Sequence, residues 1–179
     1  MTGMPIWNLR QSESLLNLRE AAIMRYLEGL ELIRSGSPIG AVYLLGYAAE
    51  IWLKIAFFSY LPDAEDVERR VKEIKKDDRK TAPGIIKPSL AKQYEADFMT
   101  DDLHSPRFWA DLLTRARTIH GRSLPVGVEK DLNNRMNRLH LNWWVGLRYQ
   151  DIRPDPSDVQ AVWEDVTWIY ENLGTISRR

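Results

Sequence analysis

The sequence contains no cysteine in 179 residues, and only three histidines. The absence of cysteine excludes disulfides, thiolate metal sites and a cysteine nucleophile. Net charge is absent too, because 25 basic residues balance 25 acidic ones. Bulk charge therefore indicates neither nucleic acid nor an acidic substrate as a partner, although a local basic patch is compatible with this balance.

Other sequence motifs typical of catalytic or cofactor-binding sites are also lacking. There is no glycine-rich phosphate loop and no serine-centred nucleophile elbow. The three histidines have no paired spacing, and Asp101, Asp102 and His104 are too loosely spaced for a metal site, so we predict neither metal nor cofactor. The first residues do not show the basic-then-apolar order of a signal sequence, so we expect a cytoplasmic protein.

What the sequence does contain is a long apolar stretch over residues 41–58. A helix here is apolar on nearly all faces and should be buried on most sides. The exception is one stripe, spaced four, three and four residues apart: Tyr43, Tyr47, Glu50 and Lys54. The stretch is nearly long enough to span a membrane, but its charged and tyrosine side chains favour the core helix of a soluble protein.

The whole chain reads as helical, with no strand-like alternation. A first helix capped by Ser12 or Ser14 runs to about residue 34, and a short Gly-Ser-Pro turn leads into the apolar helix. Further helices are expected over about 63–80, 88–98, 106–119 and 125–149, and a last one begins near Asp155 or Ser157. We predict an all-α, single-domain bundle over 1–179, built on a long antiparallel hairpin.

Three pieces, in this order, resemble the HEPN superfamily of small all-α domains. The first is A-x-Y-x-x-G-Y-A-A-E-x-x-L-K over residues 41–54, and the second is His104 within DLHSPRFWADLL. The third is Arg148-Tyr149-Gln150-Asp151, followed by a terminal amphipathic helix. The chain departs from the common pattern in having Gln150 where proline is usual, and in the long charged segment between the first two pieces.

Many HEPN proteins are ribonucleases in which histidine follows arginine by a few residues. This chain offers Arg135 with His140, and Arg115 with His120, although the usual polar residue does not follow either arginine. Histidine would move protons at a ribose 2′-hydroxyl while arginine stabilises the phosphorane. Residues five apart on a helix point about 140° from each other, so one chain cannot easily aim both at one phosphate. The family solves this with a dimer cleft.

The charged residues of the apolar helix need partners whatever the family. Arg148 is the most attractive partner for Glu50, because guanidinium and carboxylate can pair through two hydrogen bonds. We expect this pair to join the hairpin to the later helices, with Tyr43, Tyr47 and Tyr149 nearby. The alternative is that these residues, with Lys54, form a ligand-binding cluster.

Two tryptophans, Trp144 and Trp168, do not fit the main apolar stripe of their own helices. An off-face tryptophan suggests a second packing surface, so we predict a homodimer with these residues at its interface. Single-stranded nucleic acid could instead bind to the tryptophans together with Arg135, Arg138 and Arg148.

The expected function is therefore an HEPN-like binding or interaction module for nucleic acid or a nucleotide. The resemblance also implies a toxin–antitoxin or defence setting, RNA or a nucleotide as ligand and a nucleotidyltransferase-type partner. The alternative is a metal-independent endoribonuclease that uses Arg135 and His140 across a dimer cleft.

Overall fold

The computed structural model describes residues 14–60, 104–151 and 153–178, without the side chains of Tyr60, Val145 and Arg148. The helices predicted over 63–80 and 88–98 lie outside these ranges. Within them every regular element is helical, which confirms the all-α prediction. The elements are α1 (Leu15–Arg34), α2 (Pro38–Tyr60), α3 (Pro106–Ile119), α4 (Val126–Asn142), a 3₁₀ helix (Val145–Tyr149) and α5 (Pro156–Ile176).

α1 and α2 form an antiparallel pair. The hydroxyl of Ser14 caps α1 by accepting from the backbone N–H of Asn17 at 3.1 Å. The chain then turns through Gly36, whose φ of 75° lies in the left-handed region that glycine favours. Contacts run in opposite order along the two helices, because Gly40 faces Leu32 near the turn and Gly29 faces Leu45 farther from it.

α2 is the centre of the bundle and packs against α1, α3, α5 and the 3₁₀ helix. By length and composition alone it could cross a membrane, but 78% of its apolar stretch is buried inside the fold. Burial of most of its surface is the pattern of a core helix in a soluble protein. Its largest fully buried side chains are Leu45, Trp52, Leu53, Ile55, Phe57 and Phe58.

α4 ends earlier than the sequence predicts. The apolar pattern suggested a helix to about residue 149, but α4 stops at Asn142, and the chain continues through an extended Trp143 (φ −140°, ψ 133°) into the 3₁₀ helix. The extended conformation accompanies burial of the indole of Trp143, whose Nε1 donates to the carbonyl of Tyr43 at 2.9 Å. Tertiary packing here overrides a helical pattern.

α5 begins at Pro156 after the N-cap Asp155, one of the two caps predicted. Its far end is held by Arg117 of α3, which is buried and donates to the carbonyls of Ile176 at 3.4 Å and Arg178 at 2.6 Å. α4 lies between α3 and α5. The described helices share one hydrophobic core, while the prediction of a single domain over 1–179 also covers residues outside the described ranges.

Candidate functional site

The polar stripe of α2 is built around Glu50, whose carboxylate is 0% exposed. Its Oε1 accepts from Lys54 Nζ at 2.5 Å and lies 3.4 Å from His104 Nδ1 at the entry to α3. Its Oε2 has no hydrogen-bond partner among the residues that the structure describes. A buried carboxylate needs such partners, so the lysine is the main stabilising contact that we observe.

Lys54 of this cluster contacts an aromatic ring. The ammonium of Lys54 lies 5.3 Å from the ring centroid of Trp109, within the range of a cation–π contact. Tyr43 and Tyr47 stack on each other with ring centroids 6.3 Å apart. Tyr149, on the 3₁₀ helix, is largely exposed. The sequence analysis placed Tyr43, Tyr47 and Lys54 on one polar stripe and expected Tyr149 nearby. It did not predict the contact of Lys54 with an aromatic ring.

The predicted pair of Glu50 with Arg148 stays a prediction, because the arginine side chain lies outside the described part of the structure. The same holds for the alternative, a ligand-binding cluster at these residues. His104, the second piece of the sequence resemblance, contacts Glu50 and has a side chain about half exposed.

A second buried carboxylate, that of Asp165, binds two arginines of α4. It is 1% exposed, and its Oδ1 accepts from Arg135 Nη1 at 3.0 Å. Arg138 donates from Nε to Oδ2 at 3.0 Å and from Nη2 to Oδ1, so it pairs through both carboxylate oxygens. We name these three residues the Asp165 clamp.

Asp165 also sets the electrostatics of the clamp. Its hydrogen bonds raise the pKa of the Arg138 guanidinium above the ordinary value, with a further contribution from its charge and that of Glu164, against an opposing effect of burial. The guanidinium of Arg138 is therefore a permanent cation, and its side chain is still 50% exposed. The side chain of Arg135 is 26% exposed.

The structure does not bring Arg135 and His140 together within one chain. Arg135 points toward α5 and contacts Asp165, whereas the exposed His140 points toward α3, where its Nδ1 lies 3.3 Å from Ser105 Oγ. This divergence agrees with the angle expected for residues five apart on a helix. The other candidates, Arg115 and His120, are both exposed on α3, with His120 at its C-terminal cap.

The two off-face tryptophans have different surroundings. Trp168 is partly buried, and the guanidinium of Arg135 lies 5.2 Å from its ring centroid. It therefore has a packing partner in its own chain, while its predicted role in a dimer stays a prediction. Trp144 is 45% exposed.

Trp144 borders a surface cleft of about 140 Å³ where the end of α4 meets the start of α5. We call it the Trp144 cleft. Its lining residues are Val42, Leu141, Asn142, Trp144, Leu147, Pro154, Asp158 and Val162. The sequence did not single out this cleft, because its walls come from three separate parts of the chain.

Sequence reasoning also missed Asp165, which is buried beneath the two arginines. A signal was available: at 100° per residue, Asp165 lies about 60° from the buried Val162, and so beside the apolar stripe of α5.

Among the described residues, no group of three or more metal-ligating side chains is close enough to hold an ion. Neither the scan against protein-family models nor the searches of curated proteins and solved structures found a match to this chain.

Proposed function

We propose that this chain is an HEPN-like module that binds single-stranded nucleic acid or a nucleotide along the seam between α4 and α5, without cleaving it. The observation that carries the proposal is the pair of arginines held by buried Asp165, with Trp168 beside Arg135. Single-stranded nucleic acid is bound by such combinations of cationic and aromatic side chains.

The clamp orders both guanidinium groups before any ligand arrives. Asp165 neutralises one of the two positive charges, so the seam retains one net positive charge among these three residues. Because Arg138 is half exposed, its outer edge can still contact a phosphate. Less side-chain entropy is lost on binding when the arginines are already held in place.

The seam also offers stacking surfaces. Trp168 lies against Arg135, and Trp144 borders the cleft beyond the last turn of α4. Stacking of a base on such a ring contributes about 1–3 kcal/mol and tolerates different base sequences. Two arginines between two tryptophans therefore suit a strand of alternating phosphates and bases.

The non-catalytic form of the proposal is supported by the positions of the motif residues. Arg135 is engaged by Asp165, and His140 lies toward another helix. The alternative, a metal-independent endoribonuclease, requires a second copy to supply the missing member of the pair. The enzyme is tested by incubating RNA with the wild-type protein in the presence of a chelator. Cleavage that a folded His140→Ala variant no longer shows would decide in favour of the enzyme.

Binding is tested by fluorescence anisotropy with a labelled single-stranded RNA over a series of salt concentrations. The change is Arg138→Ala, and the matched control is Arg107→Ala, an exposed arginine of α3. We expect Arg138→Ala to weaken binding and to reduce the slope of log affinity against log salt by about 0.7, the value for one phosphate contact on a single strand. Equal affinity and slope in both variants would contradict the proposal.

The remaining parts of the proposal concern the setting of the protein. A cytoplasmic location is proposed from the order of the first residues, and a homodimer from the off-face Trp144 and Trp168. A nucleotidyltransferase-type partner and a toxin–antitoxin or defence role are implied by the resemblance of residues 41–54 and 148–151 to HEPN proteins. The measured mass of the protein in solution tests the dimer directly.

A further inference from the structure

From the lining of the Trp144 cleft we infer that it is a nucleobase pocket that prefers guanine. This inference rests on the proposed function, because it assigns a place for one base of the bound strand or nucleotide. The cleft opens where α2, α4 and α5 meet, and Trp144 forms one side of it.

The size and walls of the cleft suit a flat, mostly apolar ligand. A volume of about 140 Å³ is below the roughly 300 Å³ at which clefts for drug-sized ligands begin, so only a small ring system fits. Val42, Leu147 and Val162 are buried and give a firm apolar floor. The indole of Trp144, still 45% exposed, supplies a face on which a base can stack.

Two polar side chains set the chemistry of the pocket. Asp158 presents an exposed carboxylate, which only accepts hydrogen bonds, and Asn142 presents an amide, which both donates and accepts. Guanine has two adjacent donors, N1–H and the N2 amino group, that match a carboxylate, with a carbonyl beside them for an amide donor. Uracil and adenine do not offer a pair of adjacent donors, so the carboxylate selects against them.

Charge orients the rest of the nucleotide. Asp158 makes the α5 side of the cleft acidic, which repels a phosphate. Arg138 lies four residues before Asn142 on α4, so it is one turn, or about 5.4 Å, along the same face. A nucleotide with its base in the cleft would therefore direct its phosphate along the seam toward the exposed edge of Arg138.

The experiment titrates the full chain with each of the four ribonucleoside 5′-monophosphates. Binding is followed by Trp fluorescence and by the heat released or absorbed in isothermal titration calorimetry. We expect the guanine nucleotide to bind best, and Asp158→Asn to weaken it by about tenfold, the size of one good bidentate contact. Glu171→Gln is the matched control, because it removes the same charge from an exposed position of α5 outside the cleft. Circular dichroism verifies that each variant is folded, and Trp144→Phe should retain part of the binding.

The outcomes separate this inference from the proposed function. Single-stranded RNA that binds through Arg138, with no base preference and no effect of Asp158→Asn, would overturn the guanine pocket and leave the proposed function standing. Tight guanine nucleotide binding that Asp158→Asn alone weakens, without any binding of the RNA strand, would support the pocket and contradict the strand-binding seam. If free indole binds as tightly as the guanine nucleotide and Asp158→Asn has no effect, the cleft takes an apolar group and the inference is wrong.

Discussion

Trp143 and Tyr43 lie a hundred positions apart in the chain, yet the indole Nε1 of one donates to the backbone carbonyl of the other at 2.9 Å. The same indole covers Gly46, one turn farther along α2. A Cβ atom at position 46 would lie only 2.3 Å from two ring atoms of Trp143. The contact therefore joins the end of α4 to the central helix and requires glycine there.

The substitution Gly46→Ala should destabilise the protein. The added methyl group would collide with a ring that is itself only 2% exposed. Overpacking of this kind costs about 1–3 kcal/mol, and sometimes more. The free energy of unfolding from denaturant titration measures the loss.

Gly174→Ala is the control for that experiment, because it makes the same chemical change in α5, where the new methyl group has nothing within 4 Å apart from its chain neighbours and its own helix backbone. Alanine is a better helix former than glycine by up to about 1 kcal/mol, so this variant should be slightly more stable. Equal stability of the two variants would show that the contact between Gly46 and Trp143 is wrong.

The substitution Lys54→Met should also destabilise the protein, by on the order of 3 kcal/mol, because it leaves the carboxylate of Glu50 buried without its main partner. The double variant Glu50→Gln with Lys54→Met removes both charges and should recover much of the loss. A double-mutant cycle on the free energies of unfolding gives the coupling. Additive effects of the two changes would contradict the observed pair.

The predicted partnership of Glu50 with Arg148 has its own test. If the two side chains pair, Arg148→Ala should lower the free energy of unfolding by on the order of 3–5 kcal/mol, and by much less in a Glu50→Gln background. The control is Arg153→Ala, an exposed arginine a few residues later, which should change stability by less than about 0.5 kcal/mol. An Arg148→Ala variant as stable as the control would refute the pair.

The N-cap of α5 predicts a dependence of stability on pH. Hydrogen bonds from the hydroxyl and backbone N–H of Ser157 lower the pKa of Asp155 below its ordinary value of 3.8. Because the folded pKa is the lower one, this stabilisation is present above the ordinary pKa and is lost as the pH falls through the folded pKa.

Carbon NMR titration of the Asp155 carboxyl group measures the shift directly. The variant Ser157→Ala removes the larger of the two causes, so the pKa of Asp155 should move back toward 3.8. An unchanged pKa of Asp155 in this variant would show that the hydroxyl does not bond the carboxylate.

Much of the fold follows from local patterns. The caps Ser14, Ser105 and Asp155 and the turn at Gly36 mark helix ends at the positions that local propensity predicts. The early end of α4 does not follow, because the conformation of Trp143 depends on its contact with α2. A single sequence carries no information about that contact.

The candidate site likewise has some residues that local patterns identify and others that only tertiary packing brings together. The stripe of Glu50 and Lys54 was identified from its spacing, since a charged residue on an otherwise apolar helix must be buried or paired. The contacts of Asp165 with Arg135 and Arg138 could not be derived, because they depend on how α4 and α5 lie against each other. The Trp144 cleft likewise exists only because three helices end or cross at one place.

The sequence by itself determined that the described chain is helical, where most helices begin and which helix forms the core. These properties depend on caps, turns and apolar periodicity, all of which act over a few residues. Only the tertiary structure decided that Arg135 faces Asp165 while His140 faces Ser105, and that Trp168 packs on an arginine of its own chain. The physical reason is that such contacts join residues that are distant in sequence, and their geometry is set by the packing of whole helices.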